Sequence, residues 1–375
     1  MGVGHRHVLR RAADHRSGPP PPASLAGPPG PWNPAGNGNA ERPNVGRREM
    51  RRLTASALAL GLLLPALPAM AQTRWVMATP YAENFHTINI RQFIADVERA
   101  TEGRLTVQLH NNASLLPMAQ IKRGVQTGQV QLGEILLSAY ANEDPFFEVD
   151  GVPFLAWTWP QAEALNAATE PFIRARLERQ GLTLLYIVHW DAQGFYMRSE
   201  MRSVQDLRGT RFRAYNTVTS RMAELMGATP VTVQLAEVSQ AFATNVIQSM
   251  FTSAQSGVNV TAWDFTRYWY NVGGMRTRNA VFVNTRALQA LDAPTRAALM
   301  AAAGTAAERG KELARQAEVV QAERLRSQGM QLPPPTEQMM TELKQIGETL
   351  TAEWVQRAGP EGTQMLERYR AALRQ

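Results

Sequence analysis

The sequence predicts an α/β protein built as two lobes, each a parallel sheet flanked by helices. Three observations predict it. Residues 73–137 read strand, helix, strand, helix, strand, the order that builds parallel βαβ units. The same pattern restarts after residue 180. One helical stretch, 293–328, would span about 54 Å at 1.5 Å per residue. That exceeds the width of one small domain, so this helix is expected to cross both lobes and tie them together.

The elements follow in order. Residues 74–79 are a short strand. Residues 85–100 repeat apolar side chains at helical spacing (Ile88, Ile90, Phe93, Ile94, Val97), and Gly103 stands where the helix must stop. Residues 104–110 alternate, with Leu105, Val107 and Leu109 on one face. A helix over 118–127 ends at Gly128, and 130–137 is the third strand. Residues 159–180 form a helix closed by Gly181, and the nearly all-apolar run 182–189 reads as a buried parallel strand. Short strands at 212–215, 231–233 and 246–252 have helices near 219–226 and 238–244 between them, and 281–284 is a strand crossing back. The long helix starts at an N-cap, Asp292, with Pro294 in its first turn and Gly329 past its end; Gly304 and Gly310 are places where it can bend. Pro333, Pro334 and Pro335 break the chain before a last helical stretch, 337–373.

The chain has 375 residues, 44% of them apolar, and no cysteine, which excludes disulfides, Cys-zinc sites, iron–sulfur clusters and thiol catalysis. Its net charge of +7 is concentrated at one end. Nine of the 39 basic residues and three of the 32 acidic ones fall in 1–71, leaving 30 and 29 for the rest. No basic field that would draw nucleic acid remains. Residues 50–71 have the three parts of an export signal: Arg51 and Arg52, an apolar run from Ala57 to Leu67, and the small-x-small Ala69-Met70-Ala71. Cleavage is expected before Gln72, with delivery to the periplasm. Residues 1–49 hold nine Pro and eight Gly without hydrophobic period and are expected to be disordered, with Met50 as the true start.

Catalytic chemistry has little to work with. The histidines beyond the signal, His86, His110 and His189, have no metal-ligand spacing and read as core or surface residues. There is no nucleophile elbow, P-loop or dinucleotide fingerprint. Asp144, Glu148 and Asp150 cluster, and a solvated loop is the favoured reading over an acid–base pair. No enzyme activity and no cofactor are expected.

One segment carries a family pattern. Residues 203–213 read SVQDLRGTRFR, and Asp206, Leu207, Arg208, Gly209, Arg211 and Arg213 fill the Asp-hydrophobic-Lys/Arg-Gly-x-Lys/Arg-x-Arg pattern of TRAP transporter solute-binding proteins of the DctP type, which the chain resembles. Gly227-Ala228-Thr229-Pro230, Glu237-Val238 and Thr101-Glu102-Gly103-Arg104 extend the resemblance over 73–373. It implies a two-lobe periplasmic binding protein with a long helix spanning both lobes and one organic anion in the cleft between them. Residues 72–193 with 278–317 would form one lobe, and 194–277 with 318–375 the other. It implies a monomer that hands its ligand to a small and a large integral membrane subunit.

The resemblance also implies site residues. Arg213 is the bidentate anchor for a carboxylate, because a guanidinium fork matches it; Arg208 and Arg211 are read as solvated. Asn216 and Thr252 match ligand-contact positions. Departures shape the ligand: Tyr196 stands where sugar-acid receptors carry a second arginine, Leu136 where they carry an acid, and Asn245 where a glycine often precedes the strand. Trp190, Tyr196 and Tyr215 are expected to wall the cleft, with Leu235, Thr79, Ser138 and Phe85 as further candidates. Trp263, Phe265, Tyr268, Trp269 and Tyr270 are read mostly as core. The expected ligand is a monocarboxylate with an apolar or aromatic body, such as a 2-oxo or 2-hydroxy acid. An ABC-type or sensory binding protein, or a periplasmic hydrolase or isomerase, stands as the alternative.

Overall fold

The structure, a computed structural model, describes residues 72–374. The expected export signal, its cleavage site and the segment before it lie outside the described residues. Among the described residues no helix is long and apolar enough to cross a membrane.

The first lobe begins as the sequence requires. Strands β1 (Thr73–Ala78), β2 (Leu105–His110) and β3 (Leu132–Leu136) pair in parallel, joined by α1 (Phe85–Ala100) and α2 (Met118–Thr127). Asn84 starts α1 with a capping box, its side chain accepting from the backbone of His86 and Thr87. Helix α3 (Trp159–Arg179) leads to β4 (Leu182–His189). The sheet is completed by β10 (Arg278–Asn284), which enters from the other lobe and lies antiparallel between β3 and β4. The sheet is therefore mixed rather than parallel, and its order is β2-β1-β3-β10-β4.

The second lobe repeats the plan. Strands β6 (Arg211–Ala214), β7 (Thr229–Thr232) and β8 (Ser249–Ser253) are parallel, with α4 (Thr217–Leu225) and α5 (Val238–Ala243) between them. Here β5 (Gln193–Met197) enters antiparallel, pairing with β8 and with β9 (Tyr268–Asn271), and the order is β7-β6-β8-β5-β9. In each sheet one strand, β10 in the first and β5 in the second, runs against the other four, because the extended chain crosses from lobe to lobe just before that strand. It does so at 190–192 and at 272–277, and these crossings are hydrogen-bonded to each other, Trp190 N–H to the Thr277 carbonyl at 2.7 Å. The sequence pattern predicts no strand at β5 or β9 and no helix at α6 (Ala254–Asn259) or α7 (Thr285–Ala290); all are too short for a period to show.

Helix α8 (Ala293–Ser327) does cross both lobes. Its Leu299, Ala302, Ala303, Ala306, Ala314 and Ala317 pack into the first lobe's core, and its Leu325 packs into the second's. Gly310 serves close approach and not bending: a Cβ there would sit 2.5 Å from the Val188 side chain. Helix α9 (Glu337–Ala372) breaks at Gly359, φ 67°, followed by Pro360. Before the break, Glu342 accepts from Val204 N–H and Glu353 pairs with Arg221, both of the second lobe. Around and beyond it, Trp354 donates to the Pro145 carbonyl and Glu361 pairs with Arg176, both of the first. The terminal helix thus straddles the lobes instead of belonging to the second alone.

The Asp144–Asp150 cluster is no solvated loop. It forms 3-10 turns, Pro145–Phe147 and Val149–Gly151, and each acid is taken by an arginine: Asp144 by Arg176, Glu148 by Arg357, Asp150 by Arg278. Carboxylates neutralised this way are structural ties.

Candidate functional site

The carboxyl ends of the parallel strands of both sheets face one another, the position where open α/β sheets bind ligands. A cavity of about 70 Å³ lies there. Tyr81 (beyond β1), Leu136 (the end of β3), Ala139 and Trp190 come to it from the first lobe. Arg213, Tyr215, Leu235, Thr252 and Ser256 come from the ends of β6, β7 and β8 in the second, Gln193 from the start of β5 and Thr277 from the second crossing.

Arg213 is placed by alternation along β6. Phe212 turns into the apolar core, so Arg213 turns the other way, toward the cavity. Its Nε donates to the Val233 carbonyl at 3.0 Å, and its guanidinium lies over the Tyr215 ring at 4.9 Å. Arg213 is 4% exposed. The other buried arginines each hold a carboxylate: Arg176 with Asp144, Arg276 with Glu318, Arg278 with Asp150. Among the described residues, none lies within ion-pair distance of Arg213. Burial pulls its guanidinium down to about 10.

A buried polar chain runs behind the first-lobe wall. Glu134 accepts from the Thr79 hydroxyl and from Asn279 Nδ2, and Asn279 Oδ1 accepts from Trp190 Nε1 at 2.9 Å and from the Tyr81 hydroxyl at 3.3 Å. Desolvation lifts Glu134 to about 7 and holds His86 well below its ordinary value, so the imidazole is neutral where it approaches Glu134 at 3.4 Å. His86 stacks on Phe85 and lies against Trp190. On the other side, Tyr215 donates to Gln193 Oε1 at 2.9 Å.

Of the residues the sequence singled out, Arg213, Tyr215, Trp190, Thr252 and Leu235 line the cavity. The rest do not. Tyr196 points into the second lobe's core, its hydroxyl donating to the Ser253 carbonyl and its ring against Trp269 and Gly257. Asn216 and Ser138 bind each other across the lobes, Nδ2 to Oγ at 3.0 Å, beside a separate surface recess. Thr79 and Phe85 support the wall from behind. Of the outer arginines, Arg208 is exposed and Arg211 holds the Asn245 carbonyl. Asn245 has φ 57°, which is why glycine suits that position and asparagine can replace it. Trp269 and Tyr270 are buried in the core, and Trp263, Phe265 and Tyr268 pack half-buried against it. Tyr81, Gln193 and Ser256 had not been singled out; they follow a strand end or open a short strand or helix, where no period marks a face.

Two α/β lobes holding a cavity between the carboxyl ends of their strands are the architecture of periplasmic solute-binding proteins. The family model for bacterial extracellular solute-binding protein, family 7 (DctP), matches residues 78–357, and the chain belongs to this family of TRAP solute receptors. DctP7 of Bordetella pertussis, an extracytoplasmic solute receptor binding pyroglutamic acid, is 43% identical, with a TM-score of 0.78 over 80% of this chain and 99% of that one. A marine metagenome TRAP solute-binding protein specific for pyroglutamate is 33% identical, with the same TM-score, over 80% of this chain and 99% of that one. A solute-binding protein of Albidiferax ferrireducens is 21% identical over 204 residues, which span 52% of this chain and 60% of that protein's length. Receptors of this family are periplasmic.

Proposed function

We propose that this chain is the receptor subunit of a TRAP transporter and captures pyroglutamate or a close analogue, a small ring bearing one carboxylate. One observation carries the reading: Arg213 is buried without a carboxylate partner among the described residues and faces the cavity between the lobes. A bound carboxylate supplies the missing charge. The size agrees: a cavity of about 70 Å³ is small and suits a compact ring better than an aryl 2-oxo acid. The pyroglutamate-binding relatives point the same way.

In this reading Arg213 anchors the carboxylate, Tyr215 and Thr252 border it, and Trp190 and Leu235 enclose the ring. The lobes are 72–193 with 278–317 and 194–277 with 318–375, the terminal helix spanning both. Ligand contacts to both lobes favour the closed state, and the monomeric receptor delivers the acid to a small and a large membrane subunit without covalent chemistry. The test is calorimetry with pyroglutamate, succinate, glucuronate and phenylpyruvate on the protein from Gln72 onward. Pyroglutamate should bind at least about a hundredfold more tightly than the others, a gap of about 2.7 kcal/mol. Preference for a dicarboxylate or a sugar acid would overturn the assignment.

A further inference from the structure

The hydrogen-bond chain behind the first-lobe wall has a fixed direction, and it reaches the cavity at Tyr81. The direction follows from its Trp190 end. Trp190 Nε1 can only donate, and it lies 2.9 Å from the Asn279 side-chain oxygen. Glu134 Oε1 accepts from the Asn279 amide nitrogen, also at 2.9 Å. Turning the Asn279 amide over would set N–H against N–H at Trp190, whatever the protonation of Glu134. Asn279 is therefore held in one orientation by Trp190, and it is 1% exposed, so no water competes. The Tyr81 hydroxyl meets the same Asn279 oxygen at 3.3 Å and has to donate to it.

Tyr81 lines the cavity together with Arg213. With its proton committed to Asn279, its oxygen has only lone pairs to offer. We propose that Tyr81, oriented by Asn279 between Glu134 and Trp190, is a specificity-determining residue that selects ligands presenting a neutral N–H beside the carboxylate, as a lactam or an N-acylated acid does. The inference rests on the reading of the cavity as a small-ring carboxylate site and adds a second recognition element to it. A neutral N–H is required because an ammonium would be buried without a counter-charge facing it. Tyr215 also donates, to Gln193, but nothing enforces that direction: Gln193 bonds the Thr277 hydroxyl on its other side, and hydroxyls at both ends allow the amide to turn. Polarity is imposed at Tyr81 alone of the two tyrosines.

The matched probes are pyroglutamate and its lactone, 5-oxotetrahydrofuran-2-carboxylate, in which a ring oxygen replaces the N–H at nearly constant shape. Calorimetry on the wild type should show the lactone binding at least about tenfold more weakly, because two acceptors then face each other. Tyr81→Phe should weaken the lactam and bring the lactam-to-lactone ratio close to one, while Tyr215→Phe should leave the ratio near its wild-type value. Thermal melting of each variant checks that the fold is kept, and the wild-type ratio needs no variant at all. Equal affinity of the wild type for both rings, or an unchanged ratio in Tyr81→Phe, overturns the inference and leaves the small-ring reading standing. Failure of both rings to bind overturns the two together.

Discussion

A buried cation without a partner destabilises the empty protein so that it can bind an anion. Arg213 shows this against its neighbours, since Arg176, Arg276 and Arg278 are buried and paired. Its guanidinium falls from 12.5 to about 10 through burial, so at neutral pH its charge opposes folding by roughly 1–3 kcal/mol. Arg213→Gln should therefore melt higher than wild type without ligand and bind none. Arg213→Lys keeps the charge, loses the fork and should bind at least about tenfold more weakly. Melting curves with and without pyroglutamate test both; an Arg213→Gln protein that melts lower and still binds would remove the anchor. This residue was legible because its motif ends on it, next to the core residue Phe212 in the short strand β6. Tyr196 was misplaced because all five residues of β5 are buried. No apolar alternation shows which face looks at the cavity, and pairing with β8 and β9 decides it.

At the scale of elements, the long helices and interior strands were legible, since caps and period both mark them: Asn84 before α1 and Asp292 before α8 each accept from the backbone three residues on. Strands β5 and β9 were not, because their place is set by a lobe crossing, and of β10 only the end, 281–284, was legible. One cap has a second duty. Asn216 starts α4 by accepting from Thr219 N–H at 2.9 Å, and its Nδ2 reaches Ser138 of the other lobe. A bond between lobes is made only when they are closed, so it favours the state that retains ligand. Ser138→Ala should raise the dissociation rate several-fold, about 1 kcal/mol, with little change in the melting of the empty protein. Asn216→Ser keeps a good cap but is too short to reach across, and should do the same. The double variant should be no worse than either single one. Additive losses in stopped-flow dissociation would show that the two residues act separately.

Across the whole molecule, four buried titratable groups set opposing pH trends. Glu134 rises from 4.5 to about 7 and Asp191, in the first crossing, from 3.8 to about 7, both by desolvation. His86 falls well below 6.5 and His189 falls to about 3, again by desolvation first. For the acids the folded state holds a proton that the unfolded chain has already released, so their contribution declines as pH rises from about 4 to 7. For the histidines the unfolded chain takes up a proton that the folded state refuses, so theirs declines as pH falls below 6.5. Each carboxyl is worth roughly 3 kcal/mol over its window. Between about pH 4.5 and 6.5 the slopes oppose, and the wild type should melt at nearly constant temperature there. In the Glu134→Gln, Asp191→Asn double variant only the histidine slope is left. Its melting temperature should climb steadily with pH over that range and pull away above wild type, the gap widening from pH 4.5 to 7, because a neutral amide matches the protonated carboxyl at low pH and escapes the buried charge at high pH. Both substitutions keep an acceptor where Asn279 and the Gln255 backbone N–H donate, so the comparison isolates the charge. Parallel melting profiles for the two proteins would mean that these carboxyls titrate in the folded state as they do in the unfolded chain.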